Sequence, residues 1–269
     1  MPGLLPLDLG SGPAVRKMIF DLRPEVCYLP GSLTFVDYAE SHAEECRQIN
    51  VAGVSEVARA IDEIDGLLVF FSTDHVFGES TQAWKEDDPL SPRSVYAKSK
   101  AEAEQIIRDV LPDRHLILRT SWVFGPDPQE KNFASRVRRI LENGEPLVVP
   151  YDQHGQPTFG PDLARTARQL VSLRARGTYH VVGPRYFSRF QWACLIARTL
   201  RLPLDLIEGL PNSKLGLAAP RPLHIRLDRG KMLSFLGYDS IRPPQRGIAE
   251  WLVDENRRVV SGEYVSGEW

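Results

Sequence analysis

The chain has 269 residues, of which 42% are hydrophobic and 25% charged, with a formal net charge of -2. This is the composition of a globular protein with a sizeable core, and it carries no electrostatic footprint for nucleic acid or an anionic membrane surface. No apolar run approaches the ~20 residues of a membrane helix, and the opening MPGLLPLDLGSGP lacks the basic and apolar regions of a secretory signal, so the expected location is cytoplasmic.

In chain order, the hydrophobic pattern predicts a helix at about 13–22, a strand EVCYLP at 25–30, a helix at 43–63 and a strand GLLVFFST at 66–73. A helix at 94–111, a strand HLILRTSWVF at 115–124, a helix at 160–174 and a strand TYHVVG at 178–183 follow. The strands read as continuous apolar runs, as expected when a parallel sheet is covered on both faces, and their alternation with helices points to an α/β doubly wound sheet. After residue 183 the helical pieces SRFQWACLIARTL and RGIAEWLVDE are separated by proline-bearing loops, which suggests a smaller mixed lobe. The expected division is a nucleotide-binding domain over 1–182 and a substrate-binding lobe over 183–269, with contributions from about 125–158. The tail from Asn256 carries no readable pattern.

Within the 94–111 helix, Ala103, Ile106, Ile107, Val110 and Leu111 recur at helical spacing on one apolar face, while Glu104 and Arg108 fall four apart on another. Ser91 or Ser94 caps its start, and Pro112 follows its end. The three cysteines, Cys27, Cys46 and Cys194, and the six histidines are scattered without metal-ligand spacing, so no metal site is expected.

Tyr96 and Lys100, in SVYAKSK, lie four apart and share a helix face. A neighbouring ammonium lowers the pKa of a phenol, so the pair suits proton delivery to a carbonyl oxygen. Thr73 ends the strand LLVFFST, where open α/β sheets place their ligands, and is suited to hold that carbonyl. Asn50, in RQINVAGV, is a fourth candidate. Singly, each has a plainer role in packing or turns; their joint placement points to chemistry.

FFSTDHVFGE, EDDPLSPRSVYAKSKAEAE, LILRTSWVFGP, NFASRV, YDQHGQPTFGPDLA and RPLHIRLDRGKM together resemble the dTDP-4-dehydrorhamnose reductases of the extended short-chain dehydrogenase/reductase superfamily, from about Leu7 to Asp254. The regulatory β subunit of methionine adenosyltransferase carries related motifs. The resemblance implies a Rossmann-like fold and NADPH-dependent reduction of a nucleotide-linked 4-keto-6-deoxy sugar. In it Thr73, Tyr96 and Lys100 match the catalytic threonine, tyrosine and lysine, and Asn50 the superfamily's helical asparagine. It places Asp8, Leu9, Ser32, Leu33, Thr34 and Phe71, with Tyr96 and Lys100, along an NADP(H) site. Thr73, Asp74 and Trp122 fall at sugar-nucleotide contacts; DQHGQPT looks like the pocket loop, and Arg221 and Pro222 like the start of a late substrate motif. His75 replaces the family's usual tyrosine, and LPGS at 29–32 replaces its asparagine and alanines.

The G-x-x-G-x-x-G turn that grips a dinucleotide's pyrophosphate in this fold is absent from the sequence, and GSG at 10–12 reads as a turn before a helix. By resemblance, LDLGSGPAV aligns near the end of the third strand, so the chain reads as N-terminally shortened and EVCYLP as an exposed sheet edge. Such an edge invites a second copy, a partner subunit or a rearranged N-terminal segment. Three readings follow: a full enzyme whose start lies upstream, a non-catalytic sugar-nucleotide-binding or regulatory subunit, or a reductase holding its cofactor by the remaining contacts.

Overall fold

The computed structural model describes residues 7–127 and 129–261. In chain order the first elements are α1 (Gly12–Leu22), β1 (Val26–Leu29), α2 (Val36–Ser41), α3 (Ala43–Arg47), α4 (Val54–Glu63), β2 (Leu67–Thr73), α5 (Val95–Val110) and β3 (His115–Thr120). Then come β4 (Val123–Phe124), α6 (Phe133–Glu142), β5 (Leu147–Pro150), β6 (His154–Gly155), β7 (Thr158–Phe159) and α7 (Gly160–Ser172). The last are β8 (Gly177–His180), β9 (Phe187–Ser188), α8 (Arg189–Leu200), β10 (Ile207–Leu210), α9 (Gly230–Leu236) and α10 (Pro244–Ser261). The described residues form two compact units, the first falling within 1–120, 167–180 and 216–232, the second within 121–166, 181–215 and 233–269.

The first unit is built on a four-stranded sheet in the order β1-β2-β3-β8, parallel throughout. Its strands are the apolar runs that the sequence marks. Residues two apart on a strand face the same way, so Leu68 and Phe70 of β2 join Leu29 and Ile117 in one buried cluster. Val15 and Ile19 of α1, Val57 and Ile61 of α4, and Ala103 and Ile107 of α5 cover it. Among the described residues β1 pairs only with β2, and Tyr28 on it is exposed. The outer edge of β1 therefore presents backbone groups with no strand partner there.

The strand expected over 115–124 breaks in two. Trp122 adopts a left-handed backbone with φ of 44°, which a strand cannot carry through, so β3 stops at Thr120 and β4 resumes at Val123. The helix expected from RGIAEWLVDE also runs further than its pattern, to Ser261.

In the second unit, three two-stranded pairs, β5 with β10, β4 with β7 and β6 with β9, lie among α6, α8 and α10. Trp192 is fully buried there among Phe124, Phe159, Ile196 and Trp251. Helix α8 starts on a complete capping box, in which Ser188 and Gln191 each satisfy the other's backbone N–H.

One backbone approach in the first unit tolerates no side chain. A Cβ at Gly53 would fall 2.2 Å from the carbonyl oxygen of Leu9. Gly53→Ala is expected to cost ~1–3 kcal/mol by overpacking, read as a lower urea midpoint; a midpoint equal to that of the parent protein would contradict this approach.

Candidate active site

The site grows from the carboxyl end of β2. Thr73 closes the strand, and its Oγ1 accepts a hydrogen bond from the His75 N–H at 3.2 Å, capping a single 3-10 turn at Asp74–Val76. The chain then runs to Ser94, whose Oγ accepts from the Ala97 N–H at 3.1 Å and starts α5. Of the two serines considered as the cap, Ser94 serves, while Ser91 accepts from the Gly78 N–H. Glu40 on α2 receives the Val95 N–H at 2.8 Å, so the first turn of α5 is anchored from two sides.

This start places Tyr96 and Lys100 on the sheet-facing side of α5, both buried. The Tyr96 phenol lies near enough to the Thr73 side chain to feel its hydroxyl, and His75 lies edge-on to the Tyr96 ring at 6.3 Å between centroids. Lys100 Nζ donates to the Phe71 carbonyl at 2.7 Å and sits 3.9 Å from the centre of the Phe70 ring. Asp74, 3% exposed, receives a hydrogen bond from Thr73 Oγ1 at 3.2 Å.

The electrostatics differ from the expectation of a phenol primed by its neighbouring ammonium. Burial raises the Tyr96 pKa, with Thr73 pulling down and Asp74 pushing further up; Lys100 is not among the causes. The reason is geometric: the Lys100 ammonium is directed at the β2 backbone and the Phe70 ring. Burial pushes Lys100 down to about 7, against the opposing pull of the Glu104 carboxylate. Tyr96 is thus a protonated phenol at neutral pH, the form that donates a proton.

Asn50 lies in a π-helical turn, Gln48–Gly53, between α3 and α4. Its side chain is fully engaged in holding backbone. Oδ1 accepts from the Leu33 N–H at 2.8 Å and Ser32 Oγ at 2.9 Å, and Nδ2 donates to the Leu33 carbonyl at 3.1 Å and Ser99 Oγ at 3.0 Å. Ser99 Oγ in turn donates to the Tyr96 carbonyl at 2.8 Å. Asn50 therefore ties the loop after β1 to the helix that carries Tyr96.

Of the positions considered for a cofactor, Ser32, Leu33, Phe71, Tyr96 and Lys100 are drawn together by these bonds at the carboxyl ends of β1 and β2. Thr34 follows in the same loop and is exposed. Leu9 packs on Gly31 and Gly53. Asp8 closes the turn before α1, its Oδ1 accepting from the Gly10 N–H at 2.8 Å, so GSG is a turn. Arg221 is bound by Asp37, two of its nitrogens meeting the two carboxylate oxygens at 2.9 and 2.5 Å. Trp122 belongs to the second unit, where its ring abuts Gly155 of DQHGQPT and the Arg189 guanidinium lies 3.7 Å from its centroid.

Sequence reasoning missed Glu104. It was read as a partner of Arg108 at i, i+4, which it is, but it is also fully buried, and its pairing extends to Arg119 on β3 and Ser72 on β2. A signal existed: Tyr96, Lys100 and Glu104 are each four residues apart and form one helical stripe.

The family described as RmlD substrate binding domain matches residues 5–256. The chain belongs to this family. It is 33% identical to the dTDP-4-dehydrorhamnose reductase of Streptomyces griseus over 84% of this chain and 75% of that protein. With the enzyme of the same name from Salmonella typhimurium it shares 33% identity over 92% of this chain and 85% of that one. The crystal structure of dTDP-4-dehydrorhamnose reductase from Bacillus anthracis in complex with NADP superposes with a TM-score of 0.86 at 27% identity, covering 92% of this chain and 87% of the other. Its relatives include several dTDP-4-dehydrorhamnose reductases, and the α/β fold expected from the strand and helix alternation is the fold found.

Lys100 offers a test of the site's electrostatics. With a folded pKa of about 7 against an ordinary 10.5, the unfolded chain binds more protons between these values, so this lysine makes stability rise with pH across that window. Lys100→Met removes the slope: its gain in urea stability, relative to the parent, is expected to be larger at about pH 6 than at about pH 9. A gain that is equal at both, or larger at the higher pH, would contradict the burial of a charged lysine.

Proposed function

We propose that this chain is an NADPH-dependent reductase acting on the 4-keto group of a nucleotide-linked 4-keto-6-deoxy sugar. The observation that carries the reading is the convergence of the buried Tyr96 phenol and the Thr73 side chain at the carboxyl end of the central strands, with Lys100 one helical turn along. The likeness to dTDP-4-dehydrorhamnose reductases supports the substrate class.

The donor set fits the nicotinamide and ribose half of the cofactor. Lys100 and Tyr96 bring polar hydrogens, Ser32 a hydroxyl and Phe71 a carbonyl to one edge of the sheet. The sequence holds no G-x-x-G-x-x-G turn, so the fit covers that half and not the pyrophosphate. When bound, NADPH supplies the hydride that adds to the carbonyl carbon.

The chain's own residues do the rest. Thr73 holds the carbonyl oxygen beside the phenol. Tyr96, kept protonated by burial, gives its hydroxyl proton to that oxygen as negative charge develops on it. Lys100, in its protonated form, sits one turn away, where its ammonium is placed to hold the ribose. Asn50 keeps the loop at Ser32 and Leu33 against α5. Within the first unit Asp74 is the proposed sugar-nucleotide contact, with Arg221 contributing through its anchored segment.

Incubating the purified protein with the keto sugar nucleotide and following NADPH absorbance tests this. Turnover is expected to fall at least ~100-fold in Tyr96→Phe, the lower range for losing a general acid. Turnover equal in the parent and the variant would sink the assignment of Tyr96.

A further inference from the structure

We propose that Glu104 is a positioning residue of this site: its buried carboxylate clamps α5 to the ends of β2 and β3, so that Tyr96 meets Thr73 and Lys100 meets the Phe71 carbonyl, and it balances the Lys100 charge. This rests on the reductase reading and adds to it a residue that acts through others.

The geometry is specific to the reacting end of the sheet. Ser72 Oγ donates to Glu104 Oε1 at 2.5 Å, and Ser72 lies between Phe71, the acceptor for Lys100, and Thr73, the neighbour of the Tyr96 phenol. Arg119 pairs in register with Ser72 on the next strand and donates to Glu104 through Nε at 3.0 Å and its terminal nitrogen at 2.8 Å. Glu104 is fully buried and Arg119 is 2% exposed, so neither charge is stable there without the other. One carboxylate thereby locks the helix register that the two reactive side chains share with it.

Charged groups around the stripe are few. Glu104 and the Cys46 thiol from α3 act on Lys100. Asp74, beyond β2, acts on Tyr96. Arg108 on α5 and Arg119 on β3 face Glu104, and Glu40 from α2 is held by the Val95 N–H. Glu104 is therefore the carboxylate that acts on Lys100.

Three variants separate position from charge: Glu104→Gln removes the charge, Glu104→Asp keeps it with a shorter reach, and Ser72→Ala cuts the tie to β2 alone. The measurements are kcat and KM against pH, and an NMR titration of the Lys100 ε-carbon, assigned by the loss of its signal in Lys100→Met. In Glu104→Gln the Lys100 midpoint is expected to fall by about one unit and kcat by ~10–100-fold, the scale of a small misplacement, with KM for the sugar nucleotide within about twofold. In Glu104→Asp and Ser72→Ala the midpoint is expected to stay near that of the parent while kcat falls by about tenfold. Should Glu104→Gln fail to fold, the other two carry the test. Folded variants that keep both the parent kcat and the parent midpoint, changing only thermal stability, would overturn the proposal. A parent protein without turnover sinks the reductase reading instead, and the NMR midpoint in Glu104→Gln then decides this one.

Discussion

A carboxylate with no exposure to solvent has to be matched group for group or it destabilises the fold that contains it. Glu104 is matched on both oxygens, by a hydroxyl from β2 and a guanidinium from β3, with Arg108 on its own helix completing the set. Both strands reach it just before their carboxyl ends, and α5 has only one rotation that meets them. The nearness of Tyr96 to Thr73 and the Lys100–Phe71 contact follow from that rotation, since all three α5 residues occupy one stripe. Arg119 also donates to the Glu86 carbonyl at 2.9 Å, so the clamp extends beyond the helix into the loop between β2 and α5.

Asn50 performs the complementary task with neutral groups. The π-helical turn gives its side chain access to the loop after β1 on one side and to Ser99 on the other. Two buried polar constructions, one ionic and one neutral, thus hold α5 against separate parts of the sheet's carboxyl edge. A polar group satisfied in this way specifies one arrangement, because any shift leaves a donor or acceptor unpaired.

Much of this was legible in the sequence, for reasons that differ residue by residue. The sheet strands are apolar runs because both faces are covered, and α5 announces itself through its apolar spacing, its serine cap and Pro112. Tyr96, Lys100 and Thr73 stand out as candidates because proton delivery to a carbonyl calls for those residue types at that placement. The pairing of Glu104 with Arg108 was legible but its burial was not, because a glutamate four residues before an arginine has the same pattern on a solvated face, and it is Arg119, a charged residue inside a buried strand, that calls for a carboxylate indoors. The break at Trp122 was hidden because HLILRTSWVF has no glycine or proline to mark a left-handed turn. The direction of the Lys100 ammonium depends on the Phe70 ring and the Phe71 carbonyl, which spacing along α5 cannot convey.

The central claim is that Thr73 and Tyr96 act as one unit on the substrate carbonyl. A double-mutant cycle measures this directly, with kcat/KM for keto-sugar reduction in the parent, Thr73→Val, Tyr96→Phe and the combined variant. The expected result is strong non-additivity, the combined variant being about as slow as Tyr96→Phe alone. Losses that multiply, as for independent residues, would contradict the account.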